Sequence, residues 1–298
     1  MLEALVIGAG PAGLSAALIL GRCRRKVLVC DSGTPRNRVT AALHGFLSRD
    51  GVSPAELRRL GREQLSPYDT VEFRDVAVVD IRRSDGEFSA TLEDGSEVRA
   101  RKVLIATGIV DTLPAVPGIE ELYGSAVFHC PYCDGWEFRD RPLAVYGRGD
   151  DALAEARALT RFTRDIVICT DGDTASEKLQ ASCASRIGAV VRAERVLRLE
   201  RRPHGLAVVF AGGSILERAA LFFCSHVQVR SPFAQRLGCA LAANGLVETL
   251  ENEATGVRGL YVAGDASRSV LLAIVAAGEG AAAAFAMNRE LLREDLGE

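Results

Sequence analysis

The chain of 298 residues has one tryptophan, two methionines and four histidines, and aromatic residues make up 6% of it. With so few histidines, a metal centre would have to draw on cysteines or carboxylates. Excess positive charge is also missing: 36 Lys and Arg against 39 Asp and Glu leave a net charge of −3, a poor match to nucleic acid. Long apolar runs are absent. The most apolar stretch, Val270 to Met287, is broken by Glu279 and rich in Ala and Gly. It reads as a buried helix and not a membrane span. The opening MLEALVIGAG has no basic segment and no cleavable apolar stretch, so no signal peptide is expected. A reducing cytoplasm is the expected location. No low-complexity tract stands out. What remains, 48% hydrophobic and 25% charged, is a globular composition, long enough for one large domain or two ordinary ones.

Within that frame the strongest signal is an internal repeat. Residues 5 to 33 read LVIGAGPAGLSAALILGRCRRKVLVCDSG, and residues 144 to 172 read AVYGRGDDALAEARALTRFTRDIVICTDG. Each is an apolar strand, a glycine-rich turn, a helix-period segment, a second apolar strand and an acid. Two such units imply two nucleotide-binding domains of shared design. Between them, Val76 to Ile81, Phe88 to Leu92 and Val98 to Ile105 are β-rich, with Asp94-Gly95 as a hairpin turn. This predicts a small antiparallel meander packed on the first parallel sheet. Asp111 to Gly118, with Pro114 and Pro117, reads as a linker, and a second crossing is expected near Ser225 to Pro232. The tail after it is too short for a domain and should return to complete the first.

The first glycine turn has its full context. Gly8 permits the tight turn, Gly10 lets backbone N–H groups approach a pyrophosphate, and Gly13 allows close helix–strand packing. Pro11 and Ala12 open the helix, whose positive end faces the phosphates. Asp31 closes the second strand, where it can accept from both hydroxyls of an adenosine ribose. A lone GxGxxG is weak; one flanked by strand, helix and acid is strong.

A second constellation is Cys130-Pro131-Tyr132-Cys133, directly before Asp134-Gly135. Two cysteines at this spacing can form a reversible disulfide in one turn. Other readings are a zinc site, to which His129 adds a third ligand type, and a pair of inert buried thiols. Zinc would want a fourth ligand, and no second CxxC is present. CPYC also marks glutaredoxins, but there it opens a domain of a type that does not fit here. The other six cysteines, Cys23, Cys30, Cys169, Cys183, Cys224 and Cys239, lie on strand and helix patterns and read as small buried hydrophobes.

Taken together, the motifs resemble the low-molecular-weight thioredoxin reductases over nearly the whole chain. GAGPAG at Gly8, ATG at Ala106, CPYCDG at Cys130, GRGDDALAEA at Gly147, GLYVAGDA at Gly259 and VAAGEGAAAA at Val275 occur in that family's order and spacing. The resemblance implies an α/β fold of two Rossmann-like three-layer nucleotide-binding domains, the second inserted in the first. The FAD domain would be residues 1–111 and 229–298, and the inserted domain, carrying the CxxC, residues 112–228. Thr107, Gly108 and Gly264 would lie along FAD, and Asp265 would bond its ribityl-phosphate portion. The helix after Asp265 would aim its N-terminus at the flavin's pyrimidine edge, where negative charge grows on reduction. Cys133 would face the flavin, Cys130 would attack the substrate disulfide, and Asp134 would move the proton. His44 lies where the family chain runs close to the flavin. A homodimer is implied, as is a disulfide or dithiol substrate, protein or small molecule, with a thioredoxin-like protein among the candidates.

The second turn keeps Gly147, Gly149 and Ala152, but its surroundings depart from the family. Members that use NADPH carry an HRR-type run after the second strand; this chain has Thr170, Asp171 and Gly172. A carboxylate there repels a 2′-phosphate and suits a free 2′-hydroxyl. NADPH use is therefore in doubt, NADH is open, and Arg148 or Arg192 are the arginines that could rescue phosphate binding. Relatives with a second FAD in place of nicotinamide, and dithiol oxidases of the gliotoxin and holomycin type, are alternatives. Those oxidases carry His after the CxxC, where this chain has Asp134. The expected function is FAD-dependent thiol–disulfide oxidoreduction. The reading of another class is a flavin-bound redox sensor.

Overall fold

Strand β1 (Leu2–Ile7) begins the fold, and its last four residues are buried. Helix α1 (Pro11–Arg22) follows, with Pro11 in its first turn, where a missing N–H costs nothing. Strand β2 (Val27–Cys30) is buried throughout, as a strand covered on both faces must be. Helix α2 (Pro54–Leu65) is capped by the Ser53 hydroxyl, which accepts from Glu56 N–H at 3.2 Å. Then come β3 (Val71–Arg74), β4 (Val78–Ser84), β5 (Glu87–Leu92) and β6 (Glu97–Ile105). A computed structural model describes residues 1–173 and 187–298 of the chain.

The first sheet runs β3-β2-β1-β6-β5-β4. β1 pairs in parallel with β2 (Leu5 beside Leu28) and with β6 (Leu5 beside Val103). The β4–β5–β6 meander is antiparallel. It is continuous with the parallel sheet through the long β6, whose first half pairs with β5 and whose second half pairs with β1. Ile81, Phe88, Ala90 and Leu92 of the meander share one core with Leu5, Ile7 and Leu28. The meander therefore covers one face of the parallel strands, and α1 covers the other with Ala16, Ala17 and Leu20.

The chain leaves this unit along β7 (Ile109–Thr112), so the expected linker is strand at its start. The second unit holds α3 (Ile119–Leu122), β8 (Val127–Phe128), α4 (Pro131–Asp134), β9 (Leu143–Tyr146), α5 (Gly149–Leu159), β10 (Ile166–Cys169) and β11 (Val190–Arg192). A hairpin sheet of β12 (Val196–Arg202), β13 (Gly205–Phe210) and β14 (Ile215–Arg218) follows, then β15 (Ala220–Phe223). The parallel sheet order is β11-β10-β9-β15-β8. Its two faces pack on α5, through Ala152, Leu153, Ala156 and Leu159, and on the β12–β14 sheet, through Leu206, Val208 and Phe210. Each unit is thus helix, parallel sheet and antiparallel sheet in layers. The second antiparallel sheet is absent from the sequence reading, although Val196 to Phe210 alternates as strands around a turn at Pro203-His204.

The chain returns along β16 (His226–Val229), which pairs with β7, into α6 (Phe233–Arg236), β17 (Leu260–Val262) and the long α7 (Ala273–Leu296). β17 joins β6 in parallel, with Val262 beside Ile105. α7 lies on α1 so closely that a Cβ on Gly280 would stand 1.9 Å from the Ala12 carbonyl oxygen. The first unit comprises residues 1–38, 45–110 and 227–298, and the second comprises 39–44 and 111–226. Residues 39–44, assigned to the first domain from sequence, group with the second. A Cβ on Gly124 of that unit would lie 2.4 Å from the Val39 carbonyl oxygen, so this short strap is seated against it.

Candidate functional site

In the first turn each glycine has a different duty. Gly8 has φ +105, and a Cβ there would meet the Ala106 carbonyl oxygen at 2.4 Å. A Cβ on Gly13 would meet the Gly8 oxygen at 1.8 Å, so the helix can pack on the strand only through glycine. Gly10 is the opposite case: a Cβ there would meet nothing within 4 Å. Open space lies over the N-terminus of α1, whose first N–H groups have no helical acceptor. That is a cradle of the kind a pyrophosphate fills.

Asp31 is buried beneath this turn. Its Oδ1 accepts from the Ala9 N–H at 3.2 Å, and its Oδ2 pairs with Arg58 and, at 3.4 Å, with Arg62. Arg58 also donates to the Ala9 carbonyl at 3.3 Å. These two arginines were not singled out from sequence. Their signal is the i,i+4 spacing on α2, which places both on one helix face toward Asp31.

The tail comes to the same turn. A Cβ on Gly264 would sit 3.3 Å from the Ala12 Cβ. The Gly264 N–H donates to Glu279 Oε2 at 2.8 Å, and Asp265 accepts from Arg36 at 3.1 Å. Thr107 Oγ1 lies 3.0 Å from Ser231 Oγ, and Gly108 accepts from the Arg230 N–H at 3.0 Å with φ +67. Gly8, Gly10, Gly13, Asp31, Gly264 and Asp265 are thus gathered by the two ends of the chain.

The second turn is closed differently. A Cβ on Gly147 would lie 2.4 Å from Cys224 Sγ, and Ala152 is fully buried. Gly149 has φ +54. Asp171 spends its carboxylate internally: Oδ1 accepts from the Val196 N–H at 2.9 Å, and Oδ2 from the Tyr146 hydroxyl at 2.9 Å. Arg148 donates to the Thr170 and Asp171 carbonyls at 3.2 and 3.0 Å. Arg192 is bidentate on Glu194 and stacked on Phe210, 4.1 Å from the ring centroid.

Cys130 and Cys133 are joined in a disulfide, with Cα atoms 5.3 Å apart. Cys130 precedes α4 and Cys133 lies within it. Cys130 is its N-cap, its Sγ accepting from the Cys133 N–H at 3.1 Å, and Pro131 opens the turn. Gly135 closes it, because a Cβ there would meet Phe162 at 2.6 Å. Burial of the Asp134 carboxyl, reinforced by the negative charge of Glu137 and opposed by His44, pushes its pKa up to about 7. His44 Nε2 lies 3.5 Å from Glu137 Oε1, so the strap delivers this histidine to the disulfide segment. Tyr132 and Trp136 are 81% and 63% exposed there, with Arg139 over the Trp136 ring.

Among the described residues, no group of three or more His, Cys, Asp or Glu is placed to hold a metal. Cys30, Cys169 and Cys239 are buried, and burial pushes the first two thiols up to about 11 and about 12. Cys23, expected inside, is exposed because it caps the end of α1, and Cys224 is half-buried. Cys183 lies outside the described residues.

The model of the pyridine nucleotide-disulphide oxidoreductases matches residues 2–280. The chain belongs to that family. Within it, similarity runs to the thioredoxin reductases. A probable thioredoxin reductase of Arthroderma benhamiae is 39% identical over 57% of this chain, a span covering 44% of that protein's own length. The thioredoxin reductase tcpT of Claviceps purpurea is 31% identical over 89% of this chain and 86% of its own. A crystal structure of a putative thioredoxin reductase TrxB from Bacillus anthracis superposes with a TM-score of 0.93 at 34% identity, over 99% of this chain and all of that one. The chain is a flavin-dependent disulfide oxidoreductase of this family, with its two Rossmann-like units. No helix among the described residues is long and apolar enough to cross a membrane.

Proposed function

We propose that the protein exchanges an electron pair between FAD and the Cys130–Cys133 disulfide, and through that pair with a dithiol or disulfide substrate. The observation that carries this reading is the disulfide itself, closed next to a carboxyl group whose pKa lies at about 7. The first unit suits FAD: the open space over Gly10 would take the pyrophosphate, Asp31 would face the ribose, and Thr107, Gly108, Gly264 and Asp265 would follow the rest of the cofactor. Bound FAD would supply or accept the electron pair.

The chain's own residues handle sulfur and protons. In the reducing direction, the Cys130 thiolate attacks one sulfur of a substrate disulfide. The new S–S bond forms as the substrate's bond breaks, and the leaving thiolate takes a proton from Asp134, which is half-protonated near neutral pH. Cys133 then attacks Cys130, releases the second substrate thiol and closes the internal disulfide. Oxidation of a dithiol runs the same steps backwards. The exposed Tyr132 and Trp136 offer the substrate an aromatic surface, which suits a thioredoxin-like protein or a compact dithiol.

NADPH is disfavoured as the electron carrier on the other side. Asp171 stands where the family holds arginines, and Arg148 ties the second turn to the Asp171 carbonyl just after β10. NADH, a second FAD or direct turnover between dithiol and oxidant fits that turn better. We assign the protein to the reducing cytoplasm as a homodimer. Anaerobic titration of the yellow protein with NADPH, NADH and a dithiol tests the whole reading. Bleaching by the dithiol is expected. A colourless protein that gains no flavin absorbance with added FAD would sink it.

A further inference from the structure

Between β17 and α7 the chain turns at Gly264 to Ser267, where the Ser267 N–H donates to the Gly264 carbonyl at 3.0 Å. The turn is tied from more than one side. Ala266 accepts from the Val247 N–H at 2.9 Å. The Gly264 N–H donates to Glu279 Oε2 at 2.8 Å, and Arg268 Nε donates to Glu279 Oε1 at 3.1 Å. The other side of that guanidinium is taken by Glu253, whose two oxygens accept from Arg268 at 2.7 and 2.8 Å. Glu253 is 5% exposed and is reached through two consecutive left-handed residues, Asn252 at φ 53 and Glu253 at φ 63. Neither is glycine, so this backbone costs free energy that the contacts around it must offset.

The clamped turn stands against the first cradle. A Cβ on Gly264 would lie 3.3 Å from the Ala12 Cβ and 3.6 Å from the Ala276 Cβ. Glu279 is the residue before Gly280, where α7 closes on the Ala12 carbonyl. Attraction of an anionic cofactor is not what this arrangement offers. Two carboxylates on one guanidinium leave an excess of one negative charge, which works against a pyrophosphate. Burial, aided by the Glu253 charge and opposed by the Gly264 N–H and Arg268, holds the Glu279 carboxyl above its ordinary range. Partly buried ion networks add little net stability, and their best-attested use is to fix one arrangement.

We propose that Glu279 is a positioning residue for FAD: its carboxylate, braced by Arg268 and Glu253, sets the Gly264–Asp265 turn against the N-terminus of α1 and so presets the slot that the cofactor enters. This rests on the reading that FAD occupies the first unit. Glu279 acts through the Gly264 N–H and needs no contact with the cofactor. A turn left free would have to be ordered as FAD arrives, and that ordering would be subtracted from binding. The reach of the side chain is then decisive, and its charge is not.

Three variants separate reach from charge. Glu279→Gln keeps the length and an oxygen for the Gly264 N–H, and loses the charge. Glu279→Asp keeps the charge and is one methylene short. Glu279→Ala keeps neither. Each full-length protein is stripped of its flavin, and the melting temperature of the apoprotein is recorded. FAD is then titrated back while the quenching of its fluorescence is followed, which reads affinity without any turnover.

FAD affinity is expected to fall about tenfold in Glu279→Asp, the worth of one hydrogen bond to a charged group, and at least as far in Glu279→Ala. In Glu279→Gln it should stay within about threefold of wild type or rise, because the bond to Gly264 is kept and the excess charge is gone. Should Glu279→Ala not fold, Glu279→Asp decides. Wild-type affinity in Glu279→Asp, or a Glu279→Gln protein as weak as Glu279→Asp, overturns the positioning role. So does a Glu279→Asp apoprotein that melts lower while its folded fraction binds FAD as wild type does, the result of a purely structural carboxylate. Each of these leaves the flavin reading intact. If the wild-type apoprotein takes up no FAD, that reading falls and the inference with it.

Discussion

Arg148 of the second glycine turn donates to the main-chain oxygen of Asp171 at 3.0 Å, and so spans from the turn to the end of the strand where a nucleotide ribose is read. Asp171 itself is held by Tyr146 and Val196, and the Arg148 guanidinium lies 3.5 Å from its Oδ2 and offsets part of its charge. A 2′-phosphate brought here would meet a fixed carboxylate. Two unit charges at 4 Å repel by about 4 kcal/mol at an effective dielectric of 20, and salt and solvent reduce that. Even a fraction exceeds the roughly 1.4 kcal/mol that changes affinity tenfold. NADPH is expected to reduce the flavin poorly, and less well than NADH if either works. Stopped-flow reduction under argon checks this. Fast, saturable reduction by micromolar NADPH would overturn it.

Cys130→Ser and Cys133→Ser are each expected to abolish thiol–disulfide turnover while leaving FAD bound, because the thiolates carry the chemistry and the other unit carries the cradle. Turnover and flavin absorbance, measured on the same preparation, separate the two effects. Full turnover in either variant removes that cysteine from the mechanism.

Asp134 gives a pH signature. Its carboxyl is protonated up to about pH 7 in the folded protein, whereas an unfolded chain loses that proton near 3.8. The folded state therefore binds the extra proton between those values, and the contribution to stability falls as pH rises through the window. Asp134→Asn should flatten that part of the profile of melting temperature against pH. It should also lower turnover by about 10²- to 10⁴-fold, the usual worth of a positioned acid, and remove the inflection near neutrality. An unaltered inflection would assign it to another group.

Two glycines should fail in opposite ways. Gly280→Val drives a side chain into the Ala12 backbone and is expected to destabilise the first unit by about 1–3 kcal/mol or more, seen as a lower melting temperature. Gly10→Val meets no protein atom near its Cβ. It should melt close to the wild-type apoprotein yet lose FAD, measured by flavin fluorescence on denaturation. A Gly10→Val protein that keeps its flavin would place the pyrophosphate elsewhere.

Sequence made legible what is local. The glycine turns, the strands beside them and the CxxC are short-range patterns, and the structure seats them on α1, α5 and α4. What it hid depends on contacts between distant segments. The docking of residues 39–44, the pairing of Arg58 and Arg62 with Asp31, and the Glu253–Arg268–Glu279 network join side chains through rotamers that no spacing rule predicts. Asp171 was read as a ribose acceptor because of its place at a strand end. Tyr146 on the neighbouring strand β9 and Val196 on β12 of the antiparallel sheet, which take up its oxygens, reach it only once the chain is folded.

Synthesis order gives the Gly280–Ala12 contact a further meaning. The first glycine turn leaves the ribosome before the second unit, while the strand that joins β6 and the helix that closes on Ala12 emerge after it. The second unit, continuous apart from its strap, can fold meanwhile. Ribosome-arrested chains that stop before β17 are expected to carry a formed disulfide-bearing unit and no flavin, which fluorescence of the purified arrested complexes would report. The nascent protein would then pass through a stage with its sulfur chemistry in place and no cofactor to govern it, and flavin supply at the moment of release would decide how long that stage lasts.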